Sequence, residues 1–306
     1  MADRYLYMGV KSAFTRNVGT VTDVTTAGRF DSAYTDSALN LGNTQAFFDF
    51  TDGDGANDFV AAGETLWFRA DHYYTGGSFS STVAEAVNAS DQSVFRVRVI
   101  SSGVMQVQHN TGTLATPVWT QLGSNITYGS GTRRTVVIRL YIDAAGTAHE
   151  YEVFVNSVSE ASGTFSSALL TEVHAIFCGQ GGATTNMAEV LISSGINLVN
   201  SRVASLKASG AGSNSGMTGA FGDVSEAIPS DATVVSSTAA GQKTTFAMSD
   251  LPSLPVGLAV GTEVRHTFRA NNDGSSPSNL KPVIRQGGTD TAGASITCLL
   301  YTSDAA

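Results

Sequence analysis

The sequence predicts an all-β protein: an antiparallel β-sandwich over residues 40–200, followed by a second, smaller β domain over 201–297. Three observations carry that expectation. Apolar and polar residues alternate with period two through most of the chain, the pattern of strands with one buried face. The alternating runs are short and end at Gly, Asn, Asp or Pro, which interrupt strands and supply turn conformations. Finally, hydrophobic residues make up 42% of the chain but charged residues only 14%, against roughly 25% in ordinary soluble domains. The 32 glycines, with Ser, Thr and Ala, fill the difference, so hydroxyls and amides rather than charges wet the surface.

In chain order, residues 1–39 read as a segment leading into the sandwich. The start, MADRYLYMGVKSAF, lacks the apolar core and cleavage site of a signal peptide, and no apolar run reaches bilayer-spanning length. The expectation is synthesis in a cytosol and no membrane insertion. ETLWFRADHYY (64–74), SVFRVRVI (93–100), VMQVQHN (104–110), RTVVIRLYID (134–143), HEYEVFVN (149–156) and TEVHAIFCG (171–179) are the expected strands. In the second of these, Phe95, Val97 and Val99 face one side and Arg96, Arg98 and Ile100 the other. SSTVAEAVNAS (80–90) carries a helical signal, a short turn capped by Ser or Thr.

Composition shifts near residues 200–220. SRVASLKASGAGSNSGMTGAFG has no strand of useful length after Leu206 and reads as an ordered Gly-rich entry to a second unit. Strands are expected beyond it at 231–237, 243–251, 258–271, 279–288 and 294–297, too few to close a second sandwich.

The formal net charge is −9, and the 17 Lys and Arg residues are scattered, Arg133–Arg134 being the one adjacent pair. Duplex binding needs clustered cations, so no nucleic-acid partner is expected. The two cysteines, Cys178 and Cys298, do not make a disulfide scaffold, and Cys178 in HAIFCGQ reads as a small buried apolar residue.

The stretch DFTDGDGANDF (49–59) invites a calcium reading. An EF-hand register fails, because placing Gly55 sixth puts Phe50 first and Ala61 twelfth. Asp52, Asp54, Asn57 and Asp58 either line an irregular calcium site or form a Gly-rich turn held by local backbone bonds. Beyond calcium, no cofactor is expected. A second constellation is aromatic: Trp67, Tyr73 and Tyr74 beside a Gly-rich loop, and Trp119 near Tyr128. Rings next to amides and hydroxyls suit sugar faces, and the same rings suit a sandwich core. No catalytic residues are expected. Glu150 and Glu152 share a strand face that reads as solvated, as do Glu172 and His174. The five histidines, 72, 109, 149, 174 and 266, lack ligand spacing and read as strand-surface residues.

Two resemblances refine this. RRTVVIRLYIDAAGTAHEYEVFVNSVSEASGTF (133–165) resembles the central hairpins of concanavalin A-like and laminin-G-like jelly rolls, with Asp143-Ala-Ala-Gly146 as turn and Asn156-Ser157 as tip. That likeness implies a jelly-roll topology. The stretch 187–252, with an EV-apolar strand, an R-V-A-x-L strand, a Gly-rich bend and a closing DLP, resembles a module of tailed-bacteriophage structural proteins, as does IRQGGTDTAG (284–293). Met217 or Phe221 stands where that module carries a tryptophan. The likeness implies a non-enzymatic, tail-associated virion protein, made in the bacterial host cytoplasm. Its partners would be other virion proteins and host-surface glycans, with homo-oligomeric assembly. The alternative is a carbohydrate-active enzyme or its glycan-binding module. The closing CLLYTSDAA (298–306) is similar to a translated sequencing adapter. That implies native sequence ending near Thr297 and a truncated second domain.

Overall fold

The computed structural model describes residues 5–8, 16–18, 22–25, 37–41, 44–50, 60–74, 80–101, 103–113, 116–179, 185–202, 208–225, 235–249, 278–286, 288–293 and 295–298. The acidic stretch after Phe50, with Asp52, Asp54, Asn57 and Asp58, lies outside these residues, as do residues 299–306. The chain divides into two units, Met1–Ser205 and Leu206–Ala306.

Alternating strands need a partner sheet on which to bury their apolar face, and unit one supplies it as an antiparallel jelly-roll sandwich. Sheet A runs in the order β13 (Val158–Phe165), β12 (His149–Val155), β11 (Arg133–Tyr141), β6 (Thr65–Tyr74), β15 (Thr185–Ser194), β4 (Ser37–Asn40) and β3 (Thr22–Thr25), and β1 (Tyr5–Met8) also pairs with β15. Sheet B runs β10 (Trp119–Thr127), β9 (Val104–Asn110), β8 (Ser93–Ser101), β7 (Ser81–Val87), β14 (Ala175–Gly179), β5 (Gln45–Asp49) and β2 (Arg16–Val18). The N-terminal strands thus belong to both sheets.

One contiguous core lies between the sheets. Leu66, Phe68 and Ala70 of β6 and Val136, Ile138 and Leu140 of β11 meet residues such as Phe95, Val97, Val99, Met105 and Val107 of sheet B. Each of the large side chains contributes about 1.5–3 kcal/mol by leaving water. Phe95, Val97 and Val99 are buried, whereas Arg96, Arg98 and Ile100 are half-buried, so β8 shows the expected two faces. The tip between β12 and β13 is Asn156-Ser157, both at positive φ (51° and 67°), the geometry of a two-residue hairpin turn that matches sheet twist.

Two expectations are corrected. Residues 80–90 do not form a helical turn: Ser81–Val87 is a central strand in which every residue is buried. The helix-favouring Ala84-Glu85-Ala86 is overridden by pairing on both edges, with β8 and β14. The Gly-rich stretch after Leu206 likewise contains a strand, β16 (Ala208–Ser215), paired with β17 (Thr244–Met248). A Cβ at Gly212 would sit 2.4 Å from the Thr245 carbonyl oxygen. Glycine there permits close backbone approach rather than a bend.

The rest of unit two comprises, among the described residues, the pairs β18 (Ser278–Leu280) with β21 (Ile296–Cys298) and β19 (Val283–Gln286) with β20 (Thr289–Ala292), plus a 3-10 turn at Phe221–Val224. Asp290 accepts from Arg285 at 2.8 Å and from Lys243. The expected strand over 258–271 lies outside the described residues. No helix among those described is long and apolar enough to cross a membrane.

Candidate functional site

The four aromatic residues singled out from the sequence do not come together. Trp67 is 7% exposed and packs on the outer face of sheet A with Val137 and Leu198, its ring stacked on Phe154 at 6.4 Å. Tyr73 is half-buried on the same face against Ala38 and Ala188. Tyr74, one residue on, points inward and is fully buried in the core. These three are packing residues, not an open platform. Trp119 is different: it stands half-buried on the outer face of sheet B, and the Arg96 guanidinium carbon lies 3.7 Å from its ring centroid.

That face carries a continuous polar row built by strand register. Glu85 on β7 is opposite Arg96 on β8, Arg96 opposite Gln108 on β9, and Gln108 opposite Gln121 on β10. In the next row Thr82 faces Arg98, and Arg98 faces Gln106. Hydrogen bonds join the rows. Arg96 Nε donates to Gln108 Oε1 at 2.7 Å, and Gln108 Nε2 donates to Gln106 Oε1 at 3.0 Å. Gln106 Nε2 in turn donates to Gln121 Oε1 at 2.6 Å and Asn125 Oδ1 at 2.9 Å. A bulge between Leu122 and Ile126 brings Gln121 and Asn125 to the same neighbour, and Gln121 Nε2 donates to Asn125 Oδ1 at 3.0 Å.

Burial grades along the row. Gln121 and Asn125 are exposed, Gln106, Gln108, Arg96 and Arg98 half-buried, and Glu85 only 4% exposed. Loss of water pushes the Glu85 carboxyl up to about 7, against a hydrogen bond from Ser93 and the charges of Arg96 and Arg98. Burial likewise lowers Arg96 to about 10, with the like charge of Arg98 adding to it, and lowers Arg98, with Glu85 opposing. Glu85 Oε2 and Arg98 Nε are both buried without a hydrogen-bond partner among the described residues.

A second charged cluster sits on sheet A and is internally paired. Arg69, Asp71 and Glu189 are each no more than 1% exposed. Arg69 Nη2 lies 3.1 Å from Asp71 Oδ1 and 3.3 Å from Glu189 Oε2. Arg202 donates to both Glu189 oxygens at 2.8 Å, and Thr135 Oγ1 donates to Asp71 at 2.7 Å. These bonds anchor the segment after β15 to the sheet.

Three histidines expected at the surface are instead buried: His72, His109 and His149. His72 shares parity with Phe68 and Ala70, so it points into the sandwich, where its Nδ1 lies 2.5 Å from Tyr128 Oη. Glu150 is half exposed and paired with Arg139 at 2.9 Å, and Glu172 lies 3.0 Å from His174. Among the described residues no group of three or more His, Cys, Asp or Glu side chains is placed to hold a metal ion.

No protein-family model and no curated protein sequence matches the chain. Solved structures similar in part include alginate lyase A1-II′, a member of polysaccharide lyase family 7, at 14% identity and TM-score 0.35, covering 62% of this chain and 83% of that one. The binding domain of botulinum neurotoxin DC in complex with SialylT matches at 10% identity and TM-score 0.35 over 58% of this chain. A mutant of HCR D/C VPI 5995 matches at 12% identity and TM-score 0.39 over 58% of this chain, and the chain spans 43% of its length.

Proposed function

We propose that the protein is a non-enzymatic structural component of a tailed-phage virion, tail-associated and homo-oligomeric, whose sandwich binds glycans on the outer face of sheet B. The observation that carries the binding reading is the Trp119–Arg96 stack continuous with the carboxamides of Gln106, Gln108, Gln121 and Asn125. A half-exposed indole offers an apolar surface to the C–H face of a sugar ring, and bidentate amides match paired hydroxyls. The virion reading rests on the sequence likeness over 187–252 and 284–293. Binding to immobilised polysaccharides tests the first part: Trp119→Ala should weaken retention at least tenfold while the melting temperature stays within a few degrees. Unchanged retention would remove the face from consideration. Peptides of the chain in purified virions, with capsid, portal or tail genes beside its own, test the second part.

One observation favours a second reading, a carbohydrate-active enzyme: Glu85 is held near neutrality on the same face, the condition of a general acid or base. Turnover of any polysaccharide by the wild type, lost in Glu85→Gln, would replace adhesion with catalysis.

A further inference from the structure

The face that we read as glycan-binding differs from a purely amide-lined sugar site in one respect, its two guanidinium groups. Arg96 is committed: its Nε donates to Gln108 and its plane covers Trp119 at 3.7 Å. Arg98 is not. It stands one register step along β8, opposite Thr82 and Gln106, and its Nε is buried with no acceptor among the described residues. Arg98 as a whole is only half-buried, and a carboxylate meets the open end of a guanidinium with two parallel bonds.

Among the described residues the charges around Arg98 are few. Across the strand pairs, β7 presents Glu85 and β8 adds Arg96, while on this face β9 presents the uncharged Gln106, Gln108 and Asn110, and β10 the uncharged Trp119, Gln121 and Asn125. Beyond Glu85, β14 presents Phe177. With Glu85 protonated the patch is doubly cationic on a chain of net charge −9, and with Glu85 ionised one of those charges is offset.

Resting on the glycan reading above, we propose that the ligand is an acidic saccharide whose carboxylate is taken by Arg98 beside the Trp119–Arg96 stack, with Glu85 as its neutral neighbour. The protonated Glu85 carboxyl, 4% exposed behind the two guanidinium groups, puts no negative charge against the carboxylate of the ligand. Because burial places the Glu85 carboxyl at about 7, affinity for the acidic sugar falls as pH rises through that value.

The test uses galacturonate, glucuronate and mannuronate oligosaccharides, each paired with its carboxyl-reduced, uncharged counterpart. Calorimetric titrations are run at pH 5.5 and 8.5 on the wild type, Arg98→Gln, Arg98→Lys and Glu85→Gln, each first shown to be folded by its melting curve. The expected result is that at least one acidic oligosaccharide binds about tenfold or more tightly than its reduced form at pH 5.5. That preference shrinks at pH 8.5 and is lost in Arg98→Gln. It is reduced in Arg98→Lys, which keeps the charge but not the fork, and Glu85→Gln keeps the acidic preference and loses its pH dependence. Equal binding of the acidic and reduced forms would overturn the acidic-ligand inference and leave the glycan reading standing. Binding of neither form of any pair would overturn both.

Discussion

The Arg96 guanidinium lies over the Trp119 ring at 3.7 Å while its Nε donates to Gln108. Three strands, β8, β9 and β10, are therefore tied by one side chain that is half desolvated. A cation over an indole contributes about 0.5–2 kcal/mol depending on its exposure. A double-mutant cycle with Arg96→Gln and Trp119→Leu should return a coupling energy of about 1 kcal/mol in urea denaturation. A coupling indistinguishable from zero would mean that the stack is geometric only, and that Trp119 is free to leave Arg96 for a ligand.

The paired cluster on sheet A makes a second prediction. Glu189 stands at φ 49° in the β15 bulge, a left-handed conformation that costs a glutamate of the order of 1 kcal/mol or more. Its carboxylate, bonded by Arg69 and Arg202, holds it there. Arg69→Met leaves the buried Asp71 and Glu189 carboxylates facing each other without their shared cation, and stability should fall by about 3–5 kcal/mol. Arg202→Met, at a residue nearer solvent, should cost about 1–2 kcal/mol. Equal losses in the two variants would show that the central position of Arg69 confers nothing extra.

Acid sensitivity follows from His72. Burial lowers its pKa from 6.5 to about 3 in the folded protein. The unfolded chain therefore binds a proton as pH falls below 6.5, while the native one stays neutral until about 3. Stability is fully present above pH 6.5 and is lost progressively between the two values, by about 1.4 kcal/mol per pH unit. His109, lowered by burial and by His149, acts with the same sign. His72→Gln should lower stability at pH 8, by loosening the contact with Tyr128, and flatten the acid limb between pH 6 and 4. An acid limb as steep as that of the wild type would place the proton uptake elsewhere.

Much of the sandwich was legible because period-two burial is a local signal: β8, β9 and β12 follow their alternation closely, whereas β6 and β11 are buried on both faces over part of their length. Strand β7 was not, since a glutamate between two alanines favours a helix until neighbours on both edges claim it. Nor was β16, where glycines and serines hide a strand whose glycines serve close approach. The candidate face was half legible. Trp119 was singled out from its ring, but Arg96 and Arg98 read as ordinary outward residues. Their meaning depends on which side chains stand opposite, and only pairing through β7, β8, β9 and β10 aligns Glu85, Arg96, Gln108 and Gln121. The inward direction of His72 was available in principle, from its shared parity with Phe68 and Ala70 in one strand.

The last prediction concerns how the β10 bulge aims the face. Gly123 lies in it at φ 64°, and a Cβ there would meet the Tyr151 hydroxyl at 2.9 Å. Two separate costs oppose alanine: the left-handed backbone, about 1–2 kcal/mol, and the clash with a core tyrosine that is itself only 3% exposed. Gly123→Ala should therefore destabilise by more than the backbone term alone. It should also disturb the bonds from Gln106 to Gln121 and Asn125, which flank the bulge. Tyr151→Phe removes the atom that clashes and leaves the backbone term in place. In the double variant, stability should recover only in part relative to Gly123→Ala, with a residual loss of about 1–2 kcal/mol measured against Tyr151→Phe. Complete recovery would show that the bulge tolerates a left-handed alanine and that the hydroxyl is its one constraint. An absence of recovery would assign the whole cost to the backbone.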